Sequence, residues 1–173
     1  CFFIVENEGS IGFSYIDTTT HEFFVGEVQD TPCKTHLRSI LLKVKPVEVV
    51  YKREHISKES YNLIKSLYWK PQISPMSSTT IPRLAESIKL IKDYFARFTT
   101  PEIVQRLIEN AEMDLRTDML KSEELKVPYY FALQALFISM EYLDCLHLSD
   151  IVIPKAKYYL HDFNLEKDRK SVV

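Results

Sequence analysis

Asp17, Glu27 and Asp30 are the carboxylates of this 173-residue chain whose placement could do chemistry. Asp17 closes the first of two apparent strands at the mouth of a hairpin. A divalent cation held there would need two or three more carboxylates arriving from neighbouring strands and helices. Glu27 and Asp30 are the nearest acids along the chain, but both would have to bend back. The next buried strand ends in Tyr51-Lys52-Arg53, which puts cations where a second acid is wanted, and Glu54 lies beyond them. Asp17 therefore reads as a turn-forming side chain that bonds local N–H groups, the ordinary use of aspartate. A metal-dependent nuclease using Asp17 with Glu27 or Asp30 is the alternative. Cys33 with His36, and Cys145 with His147, offer ligand types that zinc takes. Both cysteines fall on apolar helical faces by spacing, so they read as packing residues. No residue is assigned a catalytic, cofactor-binding or metal-binding role.

Other chemistries lack their parts. The glycines are Gly9, Gly12 and Gly26, whereas the phosphate-cradling patterns GxGxxG and GxxxxGK[ST] need several at fixed spacing. Nucleotide binding is not expected within this chain. HExxH, CxxC and GxSxG do not occur. Trp69, ten tyrosines and ten phenylalanines could stack bases, but most fall at core-facing positions without interleaved rows of Arg or Lys, so they read as core.

The elements that must position these residues follow from periodicity. Cys1 to Val5 reads as a strand, and Ile11 to Asp30 as two more folded back on each other, giving three antiparallel strands first. Thr31-Pro32 reads as a helix start with Thr as cap, and Cys33, Leu37, Ile40, Leu41 and Val44 keep helical spacing. Val47, Val49, Val50 and Tyr51 make a short buried strand, and the strand-helix-strand order suggests a crossover connection. Ser57 caps a second helix, with Ile56 and Tyr61 placed for a hydrophobic staple and Tyr61, Ile64, Leu67 and Tyr68 on its buried face. Pro71 and Pro75 restrict residues 69–78 to an edge strand or a loop. Helices are expected after Thr79-Thr80-Ile81-Pro82 and after Thr100-Pro101-Glu102, an exposed insertion over 109–126, and a strongly apolar helix from Pro128 to about Leu148. Ile151-Val152-Ile153 reads as a last short strand, residues 156–163 as an extended segment leaving the domain, and 166–173 as a charged tail. The fold class is thus α/β, with a mixed sheet of three antiparallel strands followed by helix-strand units, flanked by helices, in a single domain over 1–165.

Composition narrows the class further. A chain that is 46% hydrophobic and 12% aromatic has ample material for a core. With 22 basic against 24 acidic residues and a formal charge of -2, the chain as a whole is not built mainly to neutralise phosphates. Three widely spaced cysteines fit free thiols better than a disulfide framework. The longest apolar run, 129–140, is broken by Gln134 and followed by Glu141 and Asp144, short of the roughly 20 residues a bilayer span needs, so no membrane partner is expected. Starting at Cys1 without a charged-then-apolar leader, the sequence reads as a fragment of a larger protein.

Four stretches, in order, resemble one family. IGFSYIDTTTHEFFVGEVQD is similar to a strand ending in Asp-Thr/Ser followed by a Phe-Phe-Ile/Val-Gly strand ending in Asp, and KPVEVVYKREHISKES to a Pro-Val-hydrophobic strand followed by a Leu/Ile-Ser-Lys-Glu helix start. RLAESIKLIKDYF and FALQALFISMEYL resemble the later helices of the same pattern. Together they resemble the connector domain (domain II) of eukaryotic MutS-type mismatch-repair proteins. His21 departs from it, standing where the family has Gly. The resemblance implies a ribonuclease-H-like domain without nuclease activity, a nuclear location, and a parent protein that binds mismatched DNA and uses ATP and Mg. It further implies a second MutS homologue and MutL-type proteins as partners. Neither the mismatch-reading Phe-x-Glu nor the phosphate loop of such a parent lies in this chain.

Overall fold

A computed structural model describes residues 1–17, 19–67, 71–76, 81–118 and 129–161. Three strands come first: β1 (Phe2–Asn7), β2 (Ser10–Asp17) and β3 (Glu22–Gln29). They pair as an antiparallel meander. The two-residue loop Glu8-Gly9 between β1 and β2 has both residues at positive φ, 49° and 88°, as a type I′ hairpin requires. Next along the chain are α1 (Thr35–Val44), β4 (Glu48–Tyr51), α2 (Lys58–Ser66) and β5 (Gln72–Pro75). Then come α3 (Leu84–Phe95), α4 (Glu102–Asp118), α5 (Tyr130–Cys145), α6 (Ser149–Lys155) and β6 (Lys157–Leu160). The six-stranded sheet has the order β5-β4-β1-β2-β3-β6, with β4 parallel to β1, β5 parallel to β4 and β6 parallel to β3. The mixed sheet expected from the sequence, three antiparallel strands followed by helix-strand units, is therefore present.

Helices cover both faces of the sheet. Phe3, Val5, Phe23, Val25 and Val50 point into one core with α3, α4, α5 and α6. Phe2, Ile4, Ile11, Phe13, Val49 and Tyr51 point into the other with α1 and α2. That double burial explains why β1 is a continuous run of Phe-Phe-Ile-Val rather than an alternation. All four of these side chains are fully buried, each stabilising by about 1.5 to 3 kcal/mol relative to exposure.

Local signals hold where their partners are close in sequence. Ser57 caps α2, its side chain accepting from Ser60 N–H at 3.1 Å, worth about 1 kcal/mol. Ile56 and Tyr61 pack on the same core. Gln72–Pro75 is an edge strand, as its prolines allow. His21 adopts φ 57°, the left-handed conformation a glycine takes without strain.

Several expectations differ from the structure. Helix α1 begins at Thr35, not beside Thr31: Lys34 N–H donates to Thr31 C=O at 2.9 Å, so Pro32 serves the second position of a β-turn. Cys33 consequently precedes the helix and is exposed, and Cys145 is exposed as well; neither packs in the core. Val47 stands just ahead of β4 and is exposed rather than part of a buried strand. Residues 109–118 continue α4, with Ala111 buried in the core, while 119–126 lie outside the described residues. Ile151-Val152-Ile153 belongs to α6, because Leu148 C=O accepts from both Ile151 and Val152 N–H, and three apolar residues in a row do not distinguish helix from strand. The last strand is β6 instead, inside the segment expected to leave the domain. Expectations on Tyr68, Trp69, Thr79-Thr80, Pro128 and 166–173 lie outside the described residues.

Candidate functional site

The three carboxylates named for metal chemistry are not brought together. Asp17 pairs across the hairpin with Glu22 at its mouth, whereas Glu27 pairs with Gly12, five residues back along β2. At about 3.4 Å per residue that separation is roughly 17 Å, against metal–oxygen bonds of about 2.0 to 2.6 Å. Asp30 lies beyond the far end of β3. Asp17 Oδ1 accepts from Thr19 N–H at 2.9 Å and Thr20 N–H at 3.3 Å, the local turn expected of it.

Glu27 and Asp30 are helix caps instead. Glu27 Oε1 accepts from Phe131 N–H at 2.5 Å and Ala132 N–H at 3.0 Å, the first-turn amides of α5, which have no partner within the helix. Asp30 serves α1 on the opposite face: Oδ1 accepts from His36 N–H at 3.0 Å and Thr31 N–H at 2.8 Å, and Oδ2 from Leu37 N–H at 3.0 Å. His36 Nδ1 lies 3.1 Å from the same Oδ1. The two carboxyls shift in opposite directions. Burial raises Glu27 above the usual glutamate value, outweighing its amide bonds. Burial also acts to raise Asp30, but three backbone N–H bonds and His36 overcome it and hold the group low.

The seat of α5 is built around Gly12. A Cβ there would lie 2.0 Å from the Phe131 carbonyl carbon and 2.4 Å from Ala132 N, so the first turn of α5 rests directly on the strand backbone. Gly12 and Glu27 share a rung of the β2–β3 ladder; one admits the helix and the other caps it. Two residues on, Ser14 Oγ donates to Ala135 C=O at 3.1 Å. Towards its other end, α5 is tied to β4 and the residue that follows it. Tyr142 OH donates to Glu48 at 2.9 Å, and Lys52, 1% exposed in its side chain, pairs with Glu141 at 2.8 Å. On the opposite face Glu6 joins two helix starts, accepting from Lys34 Nζ at 2.7 Å and from Ser57 N–H at 2.8 Å. Burial works to raise Glu6, and these bonds reverse it to a lowered value.

Sequence reasoning missed Glu6, Lys34, Glu48, Lys52, Glu141 and Tyr142 as anchors, and named Glu27 and Asp30 only as ligands in the nuclease alternative. A usable signal existed for two of them: Glu27 shares the strand face of Phe23 and Val25, and Glu6 that of Phe2 and Ile4. A carboxylate at a core-facing strand position needs a buried partner.

The glycines do not fit a nucleotide either. Gly12 is covered by α5, Gly26 faces the Phe13 ring, and Gly9 occupies the hairpin loop. Among the described residues no group of three or more His, Cys, Asp or Glu is arranged to hold a metal ion. Cys33 and Cys145 belong to segments on opposite faces of the sheet. No described helix is long and apolar enough to cross a membrane. The arrangement holds one apolar helix to a sheet at its first turn, at its middle and at its last turns.

A family model described as MutS domain II matches residues 1–150. No curated protein matches the sequence. Among solved structures, the fowlpox virus resolvase in complex with substrate Holliday junction DNA is similar at 12% identity with a TM-score of 0.42, over 84% of this chain and 99% of that one. The fowlpox virus Holliday junction resolvase is similar at 14% identity and 0.43 over the same shares.

Proposed function

Since the chain belongs to the MutS domain II family, we propose that this connector domain links the mismatch-binding region of its parent protein to the clamp and ATPase regions, passing domain movement between them as a rigid block. The observation that carries this reading is the seat of α5. Glu27 caps its first turn, Ser14 bonds its middle, and Glu141 and Tyr142 tie its last turns to Lys52 and Glu48. A block transmits displacement only if its layers do not slide, and these bonds oppose sliding of helix over sheet. Coupling between distant sites then requires that the parent's two end states bias the position of this block.

Within the family, the four sequence stretches are nearest in pattern to the sixth eukaryotic MutS homologue. That placement carries a nuclear location, a second MutS homologue as heterodimer partner and MutL-type proteins as further partners. ATP and Mg belong to the parent's ATPase region, and residues 1–165 form one connector domain.

The test uses the chain itself. Incubated with Mg²⁺ or Mn²⁺ and duplex DNA or a DNA–RNA hybrid, it should cleave neither, hydrolyse no ATP and bind DNA without preference for a mispair. Cleavage that disappears in Asp17→Asn would establish the nuclease alternative, and mismatch-selective binding would overturn the connector reading.

A further inference from the structure

The charge of the chain is segregated by layer. Residues 1–30 hold six acidic and no basic residues, while 31–67, which carry α1, β4 and α2, hold eight basic and three acidic. Residues 83–118, which carry α3 and α4 on the other face, hold six basic and seven acidic. A net charge near zero therefore conceals one basic face.

The two buried lysines of that layer direct their charge inward, Lys34 to Glu6 and Lys52 to Glu141. Arg38, Lys43, Lys45, Arg53, Lys58 and Lys65 are exposed. Among the described residues, none of Arg38, Lys45, Arg53 and Lys58 pairs with a carboxylate, and Lys65 Nζ lies 5.0 Å over the Tyr61 ring. Arg38 and Lys45 are seven residues apart at α1, as are Lys58 and Lys65 on α2, so each pair spans two helical turns, about 10 Å. Exposed Ser39 and Asn62 add neutral donors between them. Cations interspersed with hydroxyl and amide donors suit phosphate oxygens and carry no base-reading pattern.

We infer that the outer face of α1 and α2 docks the sugar-phosphate backbone of duplex DNA without regard to sequence. The inference rests on the connector reading, which places this domain in a DNA-binding parent, and adds the surface that touches the duplex. The competing occupant is an acidic protein surface, because exposed Leu42 and Val47 at the end of α1 are residues a protein partner would bury.

The test is anisotropy of a labelled random-sequence duplex titrated with the 173-residue chain between about 50 and 200 mM salt, where non-specific binding has a Kd of about 10⁻⁴ to 10⁻⁶ M. The combined variant Arg38→Gln, Lys45→Gln, Lys58→Gln, Lys65→Gln should weaken binding and reduce the log–log salt slope by about 3 to 4. The matched variant on the other face, Arg83→Gln, Lys89→Gln, Arg106→Gln, Arg116→Gln, should change the slope by less than about 1. Equal losses from both variants, or no salt-dependent binding at all, overturns the inference. So does tighter binding of a poly-glutamate peptide than of the duplex, with that binding lost in Leu42→Ser, Val47→Ser. Cleavage or mispair preference would instead overturn the connector reading and leave the surface assignment standing.

Discussion

Glu27 and Asp30 stand three residues apart at the end of one strand and cap helices on opposite faces of the sheet, yet the two faces are built differently. On the α5 face the helix is apolar, most of it buried, and seated on bare strand backbone at Gly12. Its cap is a carboxyl raised by burial, with which no cation pairs among the described residues. On the α1 face the helices are shorter and amphipathic, the cap is surrounded by three amide bonds and His36, and the outward positions are basic. The first face holds its shape through close approach and burial; the second leaves charge available to solvent. The domain puts these two properties on different sides of one sheet.

The largest expected effect breaks the tight face. Gly12→Ala places a methyl group inside the first turn of α5, and the helix must lift. A loss of roughly 4 kcal/mol, about 10 °C in Tm, should appear on thermal unfolding, or the variant should fail to fold. Ala in place of Gly26 meets the Phe13 ring on the other face, a side chain rather than helix backbone, and should cost less.

Glu141→Ala comes next. It leaves Lys52 buried without its partner, and because Glu141 is 30% exposed the cost is about 2 to 3 kcal/mol rather than the full value for a wholly buried pair. Lys52→Met removes the charge together with its demand for a partner and should cost about 1 kcal/mol or less. Urea unfolding of the two variants measures the difference, and equal costs would mean that the pair contributes packing alone.

The two caps separate by pH. Asp30 is held low, so its contribution is present above its ordinary value of 3.8 and lost as pH falls through the folded-state value. Asp30→Asn should cost about 1 to 2 kcal/mol at pH 7 and progressively less in acid. Glu27 is raised, so its proton favours the folded state, and that contribution declines as pH rises from about its ordinary value of 4.5. Stability of Glu27→Gln should therefore fall less than that of the native chain as pH rises above 4.5. A parallel pH profile for the two would show that Glu27 is solvated. The smallest effect is expected at Asp17→Asn, under about 0.5 kcal/mol, because asparagine makes the same local turn.

The sheet was legible because its signals are local. Alternation in β2 and β3 and the doubly buried run of β1 are written in adjacent residues, as are the Ser57 cap and the proline-limited edge strand. The helix seats were not, because their partners are remote: Glu27 meets amides 104 and 105 positions away, Lys52 meets Glu141 across 89, and Glu6 meets Ser57 across 51. Thr31-Pro32 misled because a β-turn and a helix start use the same pair of residues, and only Asp30, reaching the amides of His36 and Leu37, decides between them. Charge segregation was hidden for a related reason: the total is near zero, and only the fold sorts it into faces.

Hydrogen exchange of the α5 backbone tests the rigid block most directly. First-turn amides of a helix ordinarily exchange fast, having no intrahelical acceptor. In this chain Phe131 and Ala132 N–H should instead be protected about as well as the amides of β1 and β2, and Glu27→Ala should selectively release them. Fast exchange of these two amides in the native chain, or opening of α5 at a free energy well below that of the sheet, would contradict a helix and sheet that move as one body.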